Sequence, residues 1–395
     1  MKFEKIINIA LAAVMAFSCV PLSAITASAL STSAEIADSQ YTVKGGFVLA
    51  QDRSGDIFVK GYKGSGGAIT IPDDAVYIAD DAFRDNQKIT SVTIPKTCFG
   101  GIGDRAFTGC SNLKTLDVKG NLEYIGESAF FGCISLTKVI FRGDICSNET
   151  YGRYPYGGIM DYAFFCCRSL KSITFTKNSS EVGQIGGGAF GNCLSLKSVR
   201  FPNSIGFIAD AFYNCPKLEA VSIPADATVD KYSFGFCADL SKDEPEYYLS
   251  TGKKTVKAPY YTYSNGTFHQ SYKSITPCRI TLVVEQGSDA ERYARKNKVK
   301  YKYRLSAPTA VMASRGKNKM DLTWNWVNGT DYYIVYLYNP LQKKYEEYAK
   351  VTTENCTITG LHPERKYWIK ISAVDTIGKT DIEGFLSESY EFHTR

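Results

Sequence analysis

The sequence predicts a mainly β protein: a solenoid of about seven coils, closed by a β-hairpin at its start and a helix at its end, then a β-sandwich. Three observations predict it. An Ala-Phe pair returns every 22–34 residues through the middle of the chain. The last 90 residues instead alternate apolar and polar in short runs between turn residues. The 395 residues are 44% hydrophobic and 22% charged, which suits a folded protein. With 3 His, histidine catalysis and His-rich metal sites have little material. A net charge of +6 is mild, without the concentrated basic stripe that nucleic-acid binding needs, so no nucleic-acid partner is expected.

Taken in order, residues 1–29 read as an export signal. Lys2 and Lys5 lead an apolar run from Ile6 through Ala16 into Val20, and Ala27-Ser28-Ala29 offers a cleavage site before Leu30. Pro21 and the Ser/Thr-rich end of the run argue against a membrane anchor. A secreted or extracellular product is expected, without stable membrane insertion once the signal is removed, and with 30–40 as its leading segment.

The repeat occupies 41–305. Its pairs are Ala82-Phe83, Ala106-Phe107, Ala129-Phe130, Ala163-Phe164, Ala189-Phe190 and Ala211-Phe212, with Ser233-Phe234 a degenerate seventh. Cys follows each Phe by three residues in six copies: Cys110, Cys133, Cys167, Cys193, Cys215 and Cys237. Leu or Ile comes three further on, then a short alternating strand such as Val139-Ile140-Phe141. One such unit cannot bury its own apolar face, whereas stacked copies bury a continuous core. The pattern I-x-x-x-A-F-x-x-C-x-x-L-x-x-V-x-F-P resembles the BspA-like leucine-rich repeat family of bacterial and protist surfaces. Phe47-Val48-Leu49 and Ile57-Phe58-Val59 resemble its opening hairpin, and Gly287–Ala294 its closing helix, with Ala290, Tyr293 and Ala294 on one face. The resemblance implies binding of partners, often on host or neighbouring-cell surfaces, without catalysis.

Residues 306–395 open with Ser306-Ala307-Pro308 and carry strands around Met320-Leu322-Trp324, Tyr333-Val335-Leu337, Cys356-Ile358 and Tyr367-Ile369-Ile371. Pro308, Leu322-Thr323-Trp324, and Leu361 ahead of Tyr367 resemble a fibronectin type III domain. The last pair looks like a tyrosine corner, in which the phenol ties to nearby backbone. Such domains imply spacers or accessory binders.

The chain has 12 cysteines. Stacked copies would lie near the 4.7–4.9 Å strand spacing with side chains parallel rather than facing, so a column of buried, unoxidised thiols is expected. Serine there is expected to bury an unmet hydroxyl at about 1–3 kcal/mol. A single disulfide among Cys98, Cys146, Cys166 and Cys278 stays open. Cys166-Cys167, the one close pair, points to opposite faces, so neither a metal nor a cofactor is expected.

No nucleophile elbow, zinc-protease or phosphate-loop motif occurs, and no catalytic residue stands out. Asp52-Arg53-Ser54-Gly55-Asp56 reads as a hairpin turn more than a calcium loop, and Arg142-Gly143-Asp144 as a coincidental tripeptide. Two interruptions are more informative. Tyr151, Arg153, Tyr154 and Tyr156 sit in a stretch near 142–158, and Tyr260, Tyr261 and Tyr263 in another near 241–278. Tyrosines on loops supply rigid amphipathic contact area. Outward strand positions, from Ser91, Thr93, Thr115 and Asp117 to Ser198, Arg200, Ala220 and Ser222, form a polar ladder. The expected partner is a protein or other cell-surface ligand. A polysaccharide held by the tyrosines is the alternative, and a hydrolase with an unrecognised site comes third.

Overall fold

Each coil of the repeat contributes one strand to each of two sheets, and the strands of successive coils pair in parallel. In the computed structural model the described residues are 41–146, 157–176, 179–241, 246–249, 255–264, 267–276 and 279–394. The first sheet has ten strands. Tyr41–Lys44, Phe47–Gln51 and Ile57–Tyr62 open it as an antiparallel cap, and Tyr77–Ile78 pairs in parallel with the third of them. The short parallel strands then continue to Thr228–Val229. The second sheet runs from Gly67–Thr70 through Ile89–Ile94, Thr115–Val118, Lys138–Phe141 and Ser172–Phe175 to Ser198–Arg200.

Between the sheets the repeat residues stack in columns. Phe83, Phe107, Phe130, Phe164, Phe190, Phe212 and Phe234 form one stack, with centroids 4.5–5.2 Å apart and planes within 16°. Offset pairs of this kind contribute about 0.5–1.5 kcal/mol each beyond burial. The long step from Phe130 to Phe164 keeps the register, with centroids 4.9 Å apart. Beside the rings runs the thiol column. Each Sγ donates to the Phe carbonyl of the coil before: Cys110 to Phe83 at 3.0 Å, Cys133 to Phe107 at 3.2 Å and Cys167 to Phe130 at 3.3 Å. Cys193 and Cys215 repeat the bond to Phe164 and Phe190. Cys237 departs from the column, donating to the Tyr248 carbonyl at 3.5 Å.

Left-handed residues recur at two positions of the coils and turn the chain between sheets. One precedes the Ala, as at Asp81, Arg105, Ser128 and Tyr162, with φ of 55–56°. The other follows the Phe by two, as at Cys166, Asn192 and Asn214, with φ of 57–59°. Non-glycine residues adopt this conformation at about 1–2 kcal/mol each. Backbone bonds to the next coil hold them there, such as Arg105 N to Glu127 O at 2.9 Å. A carboxylate ladder locks the same turn: Asp104 N donates to Asp80 Oδ1, and Glu127 N to Asp104 Oδ1, both at 2.8 Å. The approach needs glycine just before the donor, since a Cβ at Gly103 or Gly126 would stand 2.5 Å from Asp80 or Asp104.

The helix Asp289–Asn297 covers the repeat's end with Ala290, Tyr293 and Ala294 buried. Ser288 caps it, and the Tyr293 hydroxyl donates to the Phe234 carbonyl at 2.7 Å. Among the described residues no helix is long and apolar enough to cross a membrane. By internal packing the chain divides into two units, the second formed by Glu219–Ser222, Thr281–Gln286 and Tyr301–Arg395. Its β-sandwich sets three antiparallel strands (Met312–Arg315, Lys319–Thr323, Asn355–Thr359) against five that include Tyr332–Asn339 and Lys366–Ile377. Trp324 meets Tyr333 edge-on at 5.4 Å in the core, and the Tyr367 hydroxyl accepts the His362 N–H at 2.9 Å.

All ten cysteines among the described residues are free. Burial pushes the Cys98 and Cys110 thiols up to about 12 and Cys133, Cys167 and Cys193 well above their ordinary range. Low thiolate content makes a thiol a poor nucleophile. Native protein at pH 8 should therefore leave Cys110, Cys133, Cys167, Cys193 and Cys215 unlabelled by iodoacetamide. Denaturation without reductant should expose all five to labelling, read by peptide mass; oxidation at these positions would sink the column. The Phe carbonyls also correct the serine expectation. A serine finds an acceptor already in place, so Cys133→Ser should cost about 1 kcal/mol rather than the full unmet-hydroxyl penalty, as measured by chemical denaturation.

Candidate binding surfaces

The second interruption forms a long antiparallel hairpin, Val256–Ser264 against Thr267–Ile275. Alternation along it buries Val256 and Ala258 and places Tyr260 on the same face. Cross-strand pairing sets Tyr260 opposite Ser271, with Lys273 diagonal to it. The Tyr260 ring meets two cations, with the Lys273 ammonium 3.5 Å and the Arg168 guanidinium 4.2 Å from its centroid. A hydrogen bond to Lys273 and the nearby Arg168 charge hold the phenol below its ordinary range. Tyr261 and Tyr263 occupy strand positions opposite Gln270 and Phe268. Tyr151, Arg153, Tyr154 and Tyr156 lie outside the described residues.

A second apolar cluster, outside the solenoid core, takes up another tyrosine of that interruption. Ile134, Tyr162, Phe165, Cys166, Tyr213, Ala238 and Leu240 are buried together, with Tyr247 packed against them. Tyr247 stacks on Tyr232 at 4.4 Å and meets Tyr213 edge-on at 5.7 Å. Its hydroxyl donates to Asp210 Oδ2 at 3.2 Å. Burial drives the Asp210 carboxyl up to about 6, against the opposing pull of the Tyr247 hydroxyl. The tyrosines thus divide between packing and display. The sequence signal for the cluster is an aromatic directly after the repeat Phe, at Phe131, Phe165 and Tyr213, and Cys166 joins it whereas Cys167 belongs to the thiol column.

The outward face of the second sheet carries Ser91, Thr93, Thr115, Asp117, Ser172, Thr174 and Ser198, all partly exposed. Ser91 and Thr115 share a hydrogen bond at 2.6 Å across adjacent coils. Ala220 departs from this ladder. It is fully buried, in a cluster with Val283 and Ile382 of its own unit.

Two further motifs are consumed by structure. Arg142 pairs with Asp117 at 2.8 Å, and Asp144 Oδ1 accepts the Glu181 N–H at 3.0 Å, so the Arg-Gly-Asp tripeptide is a coil-to-coil brace. Asp52 Oδ1 accepts from Ser54 N and Asp56 N, which closes a hairpin turn. The sequence reading also missed a row of lysines. Lys88, Lys114, Lys138, Lys171, Lys197 and Lys217 are all exposed, one on each of six successive coils where the chain enters the second sheet. For Lys114, Lys171 and Lys197 the readable signal was Leu-Lys-Ser or Leu-Lys-Thr after the cysteine.

Against known proteins, the family described as BspA type Leucine rich repeat region matches residues 62–151 and 157–273 in six copies. The fibronectin type III domain matches 306–385. A solved leucine-rich repeat protein from Bacteroides ovatus ATCC 8483 is 20% identical over 59% of this chain and 46% of that one, with a TM-score of 0.39. The Leucine Rich Repeat protein of T. pallidum is 22% identical over 48% of this chain and 74% of its own, with a TM-score of 0.31. An Fn3-like protein from Clostridium thermocellum is 26% identical over 23% of this chain and 94% of its own, with a TM-score of 0.21. The chain spans less than half the length of the Bacteroides protein. No curated protein sequence matches it.

The raised Asp210 carboxyl fixes the sign of a pH effect. Its folded value of about 6 lies above the ordinary 3.8, so the folded state holds the proton more tightly and loses stability as pH rises between those values. Asp210→Asn, which keeps an acceptor for Tyr247, should stabilise the protein by about 1–2 kcal/mol at pH 7.5 and by little at pH 4. Thermal melts at both pH values test this, and an equal shift at the two would remove Asp210 as the source.

Proposed function

Since the chain belongs to the BspA-type leucine-rich repeat family, whose repeat model matches just over half of its residues, we propose that it is an exported, non-catalytic binding protein that holds a cell-surface polymer along its solenoid. The observation that carries this reading is the outward face of the second sheet. It carries one or two hydroxyls on each of the coils of Ser91, Thr115, Ser172 and Ser198, with Lys138 and Ile140 taking those positions in the coil between Thr115 and Ser172, and the strands repeat at a spacing of about 4.8 Å. Such a surface matches an extended ligand better than a compact one. Residue types alone place a protein partner ahead of a polysaccharide; the hydroxyl row and the cation-flanked Tyr260 favour the reverse order. The fibronectin type III domain serves as a spacer or accessory binder, and the first 29 residues direct export.

Binding of the purified protein to intact cells separates the two partner classes. Periodate treatment of the cells should abolish binding and protease treatment should spare it; the opposite pattern points to a protein partner. Incubation with the bound polymer should release no new reducing ends, and sustained release would restore the hydrolase reading. Changing Tyr151, Tyr154 and Tyr156 together to Ser should leave the melting transition nearly unchanged and weaken binding by about 2 kcal/mol or more. A lower melting temperature with intact binding would make them packing residues.

A further inference from the structure

The six lysines that line the entry to the second sheet have no counterpart in the core's needs. Backbone bonds place three of them in one column: Thr137 N bonds Lys114 O at 2.9 Å, Lys171 N bonds Thr137 O at 3.0 Å and Lys197 N bonds Lys171 O at 3.0 Å. In the coil where Thr137 takes the position, Lys138 supplies the charge one residue later, in register with Thr115 and Ser172. Lys88 and Lys217 continue the row at either end, two residues before the column. Six coils at 4.7–4.9 Å per step extend it over about 24 Å.

Like charges on neighbouring strands repel and lower stability. The usual relief is an interleaved carboxylate. Among the described residues, the ammonium groups of Lys88, Lys114, Lys138, Lys171 and Lys217 have no carboxylate partner. The acids of the same coils are engaged elsewhere: Asp80 and Asp104 on backbone N–H groups, Asp117 on Arg142 and Lys119. On the same coil corner Arg168 follows Cys167, and with Lys273 it flanks Tyr260, adding cations and an aromatic face beside the row.

We infer that the ligand is an acidic polysaccharide, its carboxylates held by the lysine row and its hydroxyls by the adjacent Ser and Thr ladder. The inference rests on the polymer-binding reading above and adds the charge. A linear polyanion with charges recurring at about the coil spacing pairs with successive lysines without bending. A row of point charges on long flexible stems tolerates the small mismatches such a polymer brings.

Polygalacturonate, hyaluronate and alginate serve as probes, with fully methyl-esterified polygalacturonate as the neutral control of identical backbone. At least one acidic polymer should bind, more weakly as salt rises from about 0.05 to 0.5 M. The esterified control should bind at least about tenfold more weakly, the equivalent of one or two charge-assisted contacts. The triple variant Lys114→Gln, Lys138→Gln, Lys171→Gln should lose a similar factor while its melting temperature stays equal or rises, because repulsion is relieved. Unchanged binding by that variant, or no acidic polymer bound, overturns the inference. Equal binding of the esterified polymer also overturns it while leaving neutral-polysaccharide binding intact. Equally tight, lysine-dependent binding of poly-glutamate or an oligonucleotide overturns the assignment to a polysaccharide.

Discussion

Every coil must exchange backbone hydrogen bonds with its neighbours on both sides, and most of the structure follows from that requirement. Pairing fixes the rise per coil near 4.8 Å, so whatever residue occupies a repeat position is repeated along a straight column. Phenylalanine satisfies the spacing because flat rings stack at about that distance, 4.5–5.2 Å here. Cysteine satisfies it because its thiol is small and still reaches the Phe carbonyl of the coil before. The stack keeps its register across the interruption after Phe141, with Phe130 and Phe164 4.9 Å apart, and the cost of closing a longer loop grows only slowly with length.

The apolar columns were legible in the sequence because burial selects the same residue type in every coil, and period alone reveals them. The sandwich was legible for the same reason, down to the tyrosine corner in which Tyr367 accepts from His362. The turns between sheets were not. Their left-handed positions accept Asp, Arg, Ser, Tyr, Cys and Asn, so no single residue type marks them. The glycine at 103 or 126 is explained only by an aspartate in the preceding coil, a neighbour more than twenty residues away in sequence. Ala220 shows the opposite failure. Its strand parity points outward, and burial came from apolar neighbours the repeat pattern does not contain.

The tyrosine-rich interruptions were legible as departures but not as structures. Alternation in Val256–Ser264 is a strand signal, yet glycine and polar residues around it resemble a loop. Which tyrosines pack and which stay at the surface depends on the groups they meet. Tyr247 meets an apolar cluster and a buried carboxylate, whereas Tyr260 meets two cations.

Charge shows most clearly how a repeat changes the meaning of composition. Spread over 395 residues, a net +6 is unremarkable and argues against a basic binding surface. A solenoid does not spread it. Any charge placed once per coil becomes a line, and the sign of that line depends on what else the coil's charges must do. Here the acids that follow the first sheet are drawn onto backbone N–H groups, where an anionic acceptor gives a strong hydrogen bond. Among the described residues, Lys88, Lys114, Lys138, Lys171 and Lys217, which precede the second sheet, have no such duty, and the carbonyls of Lys114 and Lys171 are taken by the neighbouring coils. The acids therefore lose much of their reach into solvent while the lysines keep theirs. The local field along the row exceeds what the net charge suggests, and it persists over several coils because the spacing falls well inside the screening length of about 8 Å at physiological salt.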